Sequence, residues 1–139
     1  MIVLDTNVLS EPLRPRPDPR VITWLDAQVP ETLHVTTITL AELRYGIATL
    51  PAGARRTTLA SALEEQVLPL LAGRILDFDV PSASAYAEVR STARRRGESI
   101  ALADALIAAV ARRHDFAIAT RDTRPFLAAG LSVVDPFAG

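Results

Sequence analysis

The chain has 139 residues, contains no cysteine and carries a formal net charge of −1. A domain of this length can bury one full hydrophobic core. The absence of cysteine excludes disulfides and thiolate metal ligands, so any bound metal would depend on oxygen atoms and two histidines, which favours a hard cation. The near-neutral charge excludes a global attraction to nucleic acid. No apolar run is long enough to span a bilayer, and we expect a cytoplasmic protein that does not contact a membrane.

The first predicted element is a buried strand at residues 2–4. Ile2, Val3 and Leu4 are continuously apolar, which is typical of a strand covered on both faces of a parallel sheet. Asp5 follows this strand. The carboxyl ends of parallel strands form the edge at which open α/β sheets bind ligands, so Asp5 is a candidate functional residue.

Helical and strand patterns alternate along the rest of the chain. Helices are predicted at residues 6–13, 19–29, 39–50, 54–71, 81–96, 100–113 and 123–129. Strands are predicted at residues 2–4, 33–37, 75–79, 116–120 and 131–134. This order predicts an α/β protein with a parallel sheet, right-handed crossovers and helices on both faces, in a single domain over residues 1–139.

Local signals set several helix starts. Asp18 and Pro19 have the residue types of an N-cap and a first helical position. Thr39 and Glu42 match the capping-box pattern, which predicts that the helix begins at Thr39. The strand at residues 75–79 alternates between apolar and polar residues, and we expect it at a sheet edge.

Four carboxylates from different segments converge on one edge of this predicted sheet: Asp5, Glu42, Asp104 and Asp122. Each has an alternative structural interpretation, because Asp5 and Asp122 have the positions of N-caps, Glu42 that of a capping-box residue and Asp104 that of a first-turn acid. Asp104 favours a functional interpretation, since its helical phase borders the buried stripe. Burying a charge there costs several kcal/mol unless a cation or donors satisfy it.

Several carboxylates in one pocket raise one another's pKa values, and a divalent cation resolves this repulsion. Oxygen ligands without cysteine suit Mg²⁺ or Mn²⁺, which work on phosphates. The chemistry that this pocket predicts is the metal-activated attack of water on a phosphodiester.

Four ordered motifs together resemble the PIN-domain ribonucleases. They are Asp5-Thr6-Asn7 after the first strand, Glu42 in the segment from Thr39 to Gly46, Asp104 in the segment from Ala103 to Ala109, and Asp122 in Ala119-Thr120-Arg121-Asp122. The chain is most similar to the VapC toxin group of type II toxin–antitoxin systems, including its FitB-like members. The match extends over essentially the whole chain.

This resemblance implies a three-layer α/β/α sandwich with a five-stranded parallel sheet. It also implies an Mg²⁺- or Mn²⁺-dependent endoribonuclease that acts on RNA, forms a homodimer and is inhibited by a cognate antitoxin. Asp5, Glu42, Asp104 and Asp122 correspond to the acidic quartet of the family. Thr120 matches its supporting hydroxyl residue, and Asn7 matches the polar residue after the first aspartate.

We assign metal ligation to Asp5, Asp104 and Asp122, while Glu42 is either a ligand or a residue that positions water. Arg121 is the best candidate for a phosphate contact because it adjoins the pocket, and its alternative is a solvated turn residue. Arg44 and Arg124 are weaker candidates.

Three other functions compete with this interpretation. A phospho-receiver domain would use a lysine, and the chain has none. A catalytically silent RNA-binding or scaffolding PIN domain is disfavoured by the intact quartet. The third, a structure-specific DNA nuclease of related fold, is disfavoured by the compact chain, which has no long insertion to clamp a duplex or flap. A non-toxin PIN-like nuclease that processes DNA or RNA stays open as the alternative to a toxin.

Overall fold

The computed structural model describes residues 1–138 and contains a five-stranded sheet. The strands are β1 (Ile2–Leu4), β2 (Leu33–Thr36), β3 (Ile75–Leu76), β4 (Ala117–Ala119) and β5 (Val133–Val134). All neighbouring pairs are parallel, in the order β3-β2-β1-β4-β5. The first strand is therefore the central one, and Ile2 pairs with Leu33 on one side and with Ala117 on the other. The predicted α/β fold with a parallel sheet is confirmed.

Seven α-helices surround this sheet within residues 1–138. They are α1 (Thr6–Ser10), α2 (Pro19–Asp26), α3 (Thr37–Ala48), α4 (Ala54–Ser61), α5 (Val80–Arg95), α6 (Leu102–His114) and α7 (Thr123–Ala128). Asp18 caps α2 as predicted, since its side chain accepts a hydrogen bond from the Arg20 backbone N–H. No helix among these residues is both long and apolar enough to cross a membrane.

The predicted start of α3 is wrong. Thr36, not Thr39, is the N-cap: it has extended backbone angles, and its Oγ1 accepts a hydrogen bond from the Thr39 N–H at 3.1 Å. The helix thus begins at Thr37, because the last residue of β2 supplies the cap directly. Glu42 lies in the second turn rather than at the third helical position, so it has no capping role and its carboxylate is available for the site.

The long helix predicted at residues 54–71 is also only partly right. The α-helix ends at Ser61, and the chain continues as a π-helical segment (Ala62–Val67) and a 3-10 segment (Leu68–Leu71). Pro69 explains this change, because proline has no N–H to donate and its ring clashes with the carbonyl four residues earlier. The apolar face is retained, and Leu63 is buried.

The sheet separates two apolar clusters, as alternation along the strands requires. Val3 and Ile118 belong to one cluster, which packs against α5 and α6, whereas Leu4 and Ala119 belong to the other. The second cluster also includes Val8, Val21 and Leu63. The molecule is a three-layer α/β/α sandwich.

We expect Ile107→Ala to lower the free energy of unfolding by about 2–5 kcal/mol, because it removes a fully buried side chain from the first cluster. Leu102→Ala in the same helix is the control, since that side chain is 61% exposed and its loss should change stability by no more than about 0.5 kcal/mol. Urea denaturation measures both. Equal losses in the two variants would contradict this description of the core.

Candidate active site

Asp5 lies at the carboxyl end of the central strand and is only 4% exposed. Its Oδ1 accepts a hydrogen bond from the Thr6 N–H at 2.8 Å and so caps α1, while its Oδ2 accepts one from Thr120 Oγ1 at 2.8 Å. The cap of α1 uses Oδ1, whereas the contact with the rest of the predicted site uses Oδ2. Asp5 can therefore be both a helix cap and a site residue.

Asn7 and Thr120 join the ends of β1 and β4. The Asn7 amide nitrogen lies 3.4 Å from both Asp5 Oδ2 and Thr120 Oγ1, and the Asn7 Oδ1 accepts a hydrogen bond from the Arg121 N–H at 3.1 Å. Thr120 Oγ1 also accepts one from the Asp122 N–H at 3.1 Å. These two side chains thus fix the turn that carries Asp122 next to Asp5.

Glu42 reaches the site from the second turn of α3. Its Oε1 accepts a hydrogen bond from Thr6 Oγ1 at 2.6 Å, which links α3 to the start of α1. Thr6 was not among the predicted site residues. The available signal was a hydroxyl residue directly after the strand-end aspartate.

Asp104 is half-buried in the first turn of α6 and belongs electrostatically to the same group. Burial raises the pKa of Asp104 to about 6, with further contributions from the negative charges of Asp5, Asp122 and Glu42. Burial also raises the pKa of Asp5; hydrogen bonds from Thr120 and Thr6 oppose this, and the charges of Glu42 and Asp122 add to it. The structure thus brings all four predicted carboxylates into mutual electrostatic range.

The four carboxylates have no positively charged partner within residues 1–138. The six salt bridges of this region involve other acids: Glu11, Asp18, Glu64, Glu88, Asp79 and Glu98. In the same region no three acidic or histidine side chains form a ready coordination set. The donor chemistry nevertheless fits a cation such as Mg²⁺, which prefers oxygen ligands and retains several of its own water molecules.

A PIN-domain family model matches residues 2–130. The chain belongs to the PIN-domain family. It is 52% identical over 137 residues to VapC ribonuclease Y4jK of Sinorhizobium fredii, covering 99% of this chain and 98% of that protein. It is 51% identical over 137 residues to toxin FitB of Neisseria gonorrhoeae, covering 99% of each. The crystal structure of FitAcB from N. gonorrhoeae matches with a TM-score of 0.94 at 51% identity over 99% of both chains. The resemblance to the VapC group and its FitB-like members is confirmed.

The three arginines predicted as phosphate contacts differ in whether an acidic side chain already pairs with them. Arg44 forms a salt bridge with Glu64, and Arg124 forms one with Glu98, so both guanidinium groups already have acidic partners. The Arg121 guanidinium lies 4.8 Å from the centre of the Phe137 ring. Its role in binding phosphate stays a prediction.

One further buried acid, Glu11, lies outside the quartet. It is 4% exposed, and its Oε1 accepts a hydrogen bond from the Asp18 N–H at 2.9 Å. This contact anchors the proline-rich loop before α2 and accounts for the burial of Glu11.

The raised pKa of Asp104 makes stability depend on pH. The folded-state pKa of about 6 lies above the ordinary value of 3.8, so the folded protein binds more protons and loses stability as the pH rises through this interval. In metal-free protein we expect Asp104→Asn to exceed the wild type by about 1–2 kcal/mol at about pH 7.5, after allowance for solvent screening. The difference in stability between Asp104→Asn and the wild type should largely vanish at about pH 4.

Denaturant titrations in EDTA at both pH values measure this difference. Asp77→Asn is the matched control, because Asp77 is an exposed carboxylate of the loop after β3. An Asp104→Asn difference that is the same at both pH values would show that repulsion and burial do not act on this carboxyl.

Proposed function

We propose that the protein is a metal-dependent endoribonuclease and the toxin of a type II toxin–antitoxin pair. The observation that carries the proposal is a group of four carboxylates at the end of the central strand, with a raised pKa at Asp104 and no cationic partner within residues 1–138. A bound divalent cation would relieve the repulsion within this group. The names of two close relatives, VapC ribonuclease and toxin FitB, support RNA as the substrate and a toxin role.

Asp5, Asp104 and Asp122 are the proposed ligands of Mg²⁺ or Mn²⁺, and Glu42 completes the acidic quartet. When bound, the cation supplies an activated water and stabilises the negative charge that develops on the phosphate. The chain's own contribution is orientation. Thr120 and Asn7 hold the Asp5 carboxylate through its Oδ2, and the Thr120 hydroxyl also fixes the backbone of Asp122.

Differences in exposure suggest how RNA approaches the pocket. Asp5 lies at the buried end of the group, Asp104 is half-buried, and Glu42 and Asp122 are exposed. A phosphodiester would therefore approach from the side of Glu42 and Asp122, where a cation held by the acids would offset the repulsion between the carboxylates and the phosphate. We assign the phosphate contact outside the acidic quartet to Arg121, whose backbone is fixed by Asn7.

The remaining features of the proposal follow from the family. We propose that this chain is a single domain over residues 1–139. As expected of a toxin of this group, it pairs with a cognate antitoxin, forms a homodimer and acts in the cytoplasm.

Mg²⁺ or Mn²⁺ should raise the melting temperature by mass action. At about 100 times the dissociation constant the stabilisation is about 2.7 kcal/mol, or about 5–10 °C for a domain of this size. Asp104→Asn should abolish the shift, and Asp77→Asn should retain it. Differential scanning fluorimetry with a metal titration measures the response, and an unchanged shift in Asp104→Asn would remove Asp104 from the metal site.

RNA cleavage should require the metal and depend on Asp5. Asp5→Asn keeps a residue that caps helices equally well but removes the charge, so the fold should persist. We expect its rate to fall by more than about 100-fold, beyond the effect typical of residues that only support a ligand. The assay uses a panel of structured RNAs with Mg²⁺, Mn²⁺ or EDTA. Cleavage that persists in EDTA would disprove the proposed mechanism.

A further inference from the structure

Three threonine hydroxyls form a chain that ends on Glu42. Thr36 Oγ1 lies 3.5 Å from Thr39 Oγ1, Thr39 Oγ1 lies 3.3 Å from Thr6 Oγ1, and Thr6 Oγ1 lies 2.6 Å from Glu42 Oε1. Thr36 and Thr39 are both fully buried. The chain thus runs from the end of β2 to the mouth of the acidic pocket.

The direction of these hydrogen bonds follows from the number of available protons. A hydroxyl has one proton to donate, and an ionised carboxylate only accepts. The short contact with Glu42 therefore takes the proton of Thr6, so the 3.3 Å contact between the Thr6 and Thr39 hydroxyls is a hydrogen bond only with Thr39 as its donor. Thr36 Oγ1 already accepts the Thr39 N–H, which leaves its own proton free to point towards Thr39. All three hydroxyls are then oriented towards Glu42.

Thr6 also contacts the first member of the quartet. Its backbone N–H donates to Asp5 Oδ1, while its side chain donates to Glu42 Oε1. The threonine side chain is branched at Cβ and has few accessible rotamers, so one residue sets the spacing of two carboxylates. In contrast, Glu42 Oε2 accepts no hydrogen bond from residues 1–138. It is therefore the Glu42 oxygen that stays available to a water molecule or a cation in the pocket.

We propose that Thr6 and Thr39 are positioning residues: Thr6 holds Glu42 through Oε1, Thr39 supports the Thr6 hydroxyl, and only the Glu42 Oε2 is presented to the reacting groups. Glu42 then acts through a single oxygen and is not a bidentate ligand. This inference rests on the proposed nuclease function and specifies how one of its four acids takes part.

Hydroxyl removal at Thr6 is the first test. Thr6→Val keeps the shape of the side chain, and we expect kcat for RNA cleavage to fall about 10–100-fold, as for other residues that orient a metal-site carboxylate. KM should change by less than about twofold, because Thr6 orients an acid and does not bind the RNA. Thr6→Ser restores the donor and should recover the wild-type rate to within about threefold.

Thr37→Val is the matched control. Thr37 is a half-buried threonine at the start of α3, and its side chain makes no hydrogen bond within residues 1–138. Its substitution should leave cleavage unchanged. A loss of activity that is equal in Thr6→Val and Thr6→Ser, or equal in Thr6→Val and Thr37→Val, would overturn the positioning role.

A double-mutant cycle with Glu42→Ala tests the contact without any catalysis. In metal-free protein, Thr6→Val should lower the melting temperature by about 2–4 °C, and by less than about half as much when Glu42 is already alanine. Strictly additive shifts would overturn the contact between Thr6 and Glu42, and with it the positioning role, whether or not the protein cleaves RNA.

The cleavage arm of the same cycle separates the two proposals. If the wild type cleaves RNA, Thr6→Val should cause no further loss in the Glu42→Ala background, and a full additional loss would overturn action through Glu42. If the wild type cleaves no RNA with Mg²⁺ or Mn²⁺, the nuclease proposal fails, and the positioning role that rests on it fails as well. A non-additive thermal cycle would then still establish the hydrogen bond between Thr6 and Glu42 as a structural contact.

Discussion

Uncompensated negative charge at the end of β1 is the constraint on which the rest of the site depends. Asp5 and Asp104 are removed from water to different degrees, and burial raises the pKa of both carboxyls. An arginine placed among the four acids would remove the repulsion. Within residues 1–138 the arginines that form salt bridges pair with acids elsewhere, so the repulsion among the four carboxylates persists and a divalent cation could compensate it.

Neutral donors make this arrangement possible. Thr6, Asn7 and Thr120 hydrogen-bond to the carboxylates and therefore fix their orientation, but they do not cancel their charge. A guanidinium would have fixed the orientation of the carboxylates and also cancelled their charge, so it would have competed with a metal for the same oxygens. The choice of hydroxyls and an amide explains how a site can be rigid and still attract a cation.

The sequence predicted the parts of this arrangement that depend on periodicity and on strand ends. The parallel sheet and the positions of Asp5 and Asp122 followed from the apolar strands. The predicted helix starts placed Glu42 and Asp104 at the same edge. The start of α3 was mispredicted because Thr36 and Thr39 are both suitable caps, and only the backbone angles at the end of β2 decide between them. The π-helical segment before Pro69 was missed because the apolar pattern of a helix survives a local change in its hydrogen bonding. Thr6 was missed because its contact partner lies 36 residues away.

Small residues in α6 connect the composition of the chain to the placement of Asp104. Ala105, Ala108 and Ala109 are fully buried, and their short side chains permit the close approach of α6 to its neighbours. Alanine buries little apolar area, so each such position contributes less to stability than a leucine or isoleucine would. In return, the first turn of α6 lies close enough to the sheet edge for the charge of Asp5 to raise the pKa of Asp104. Filling that interface with larger side chains would push the helix outwards and weaken the coupling between the two carboxylates, so the core packing and the electrostatics of the site are set by the same residues.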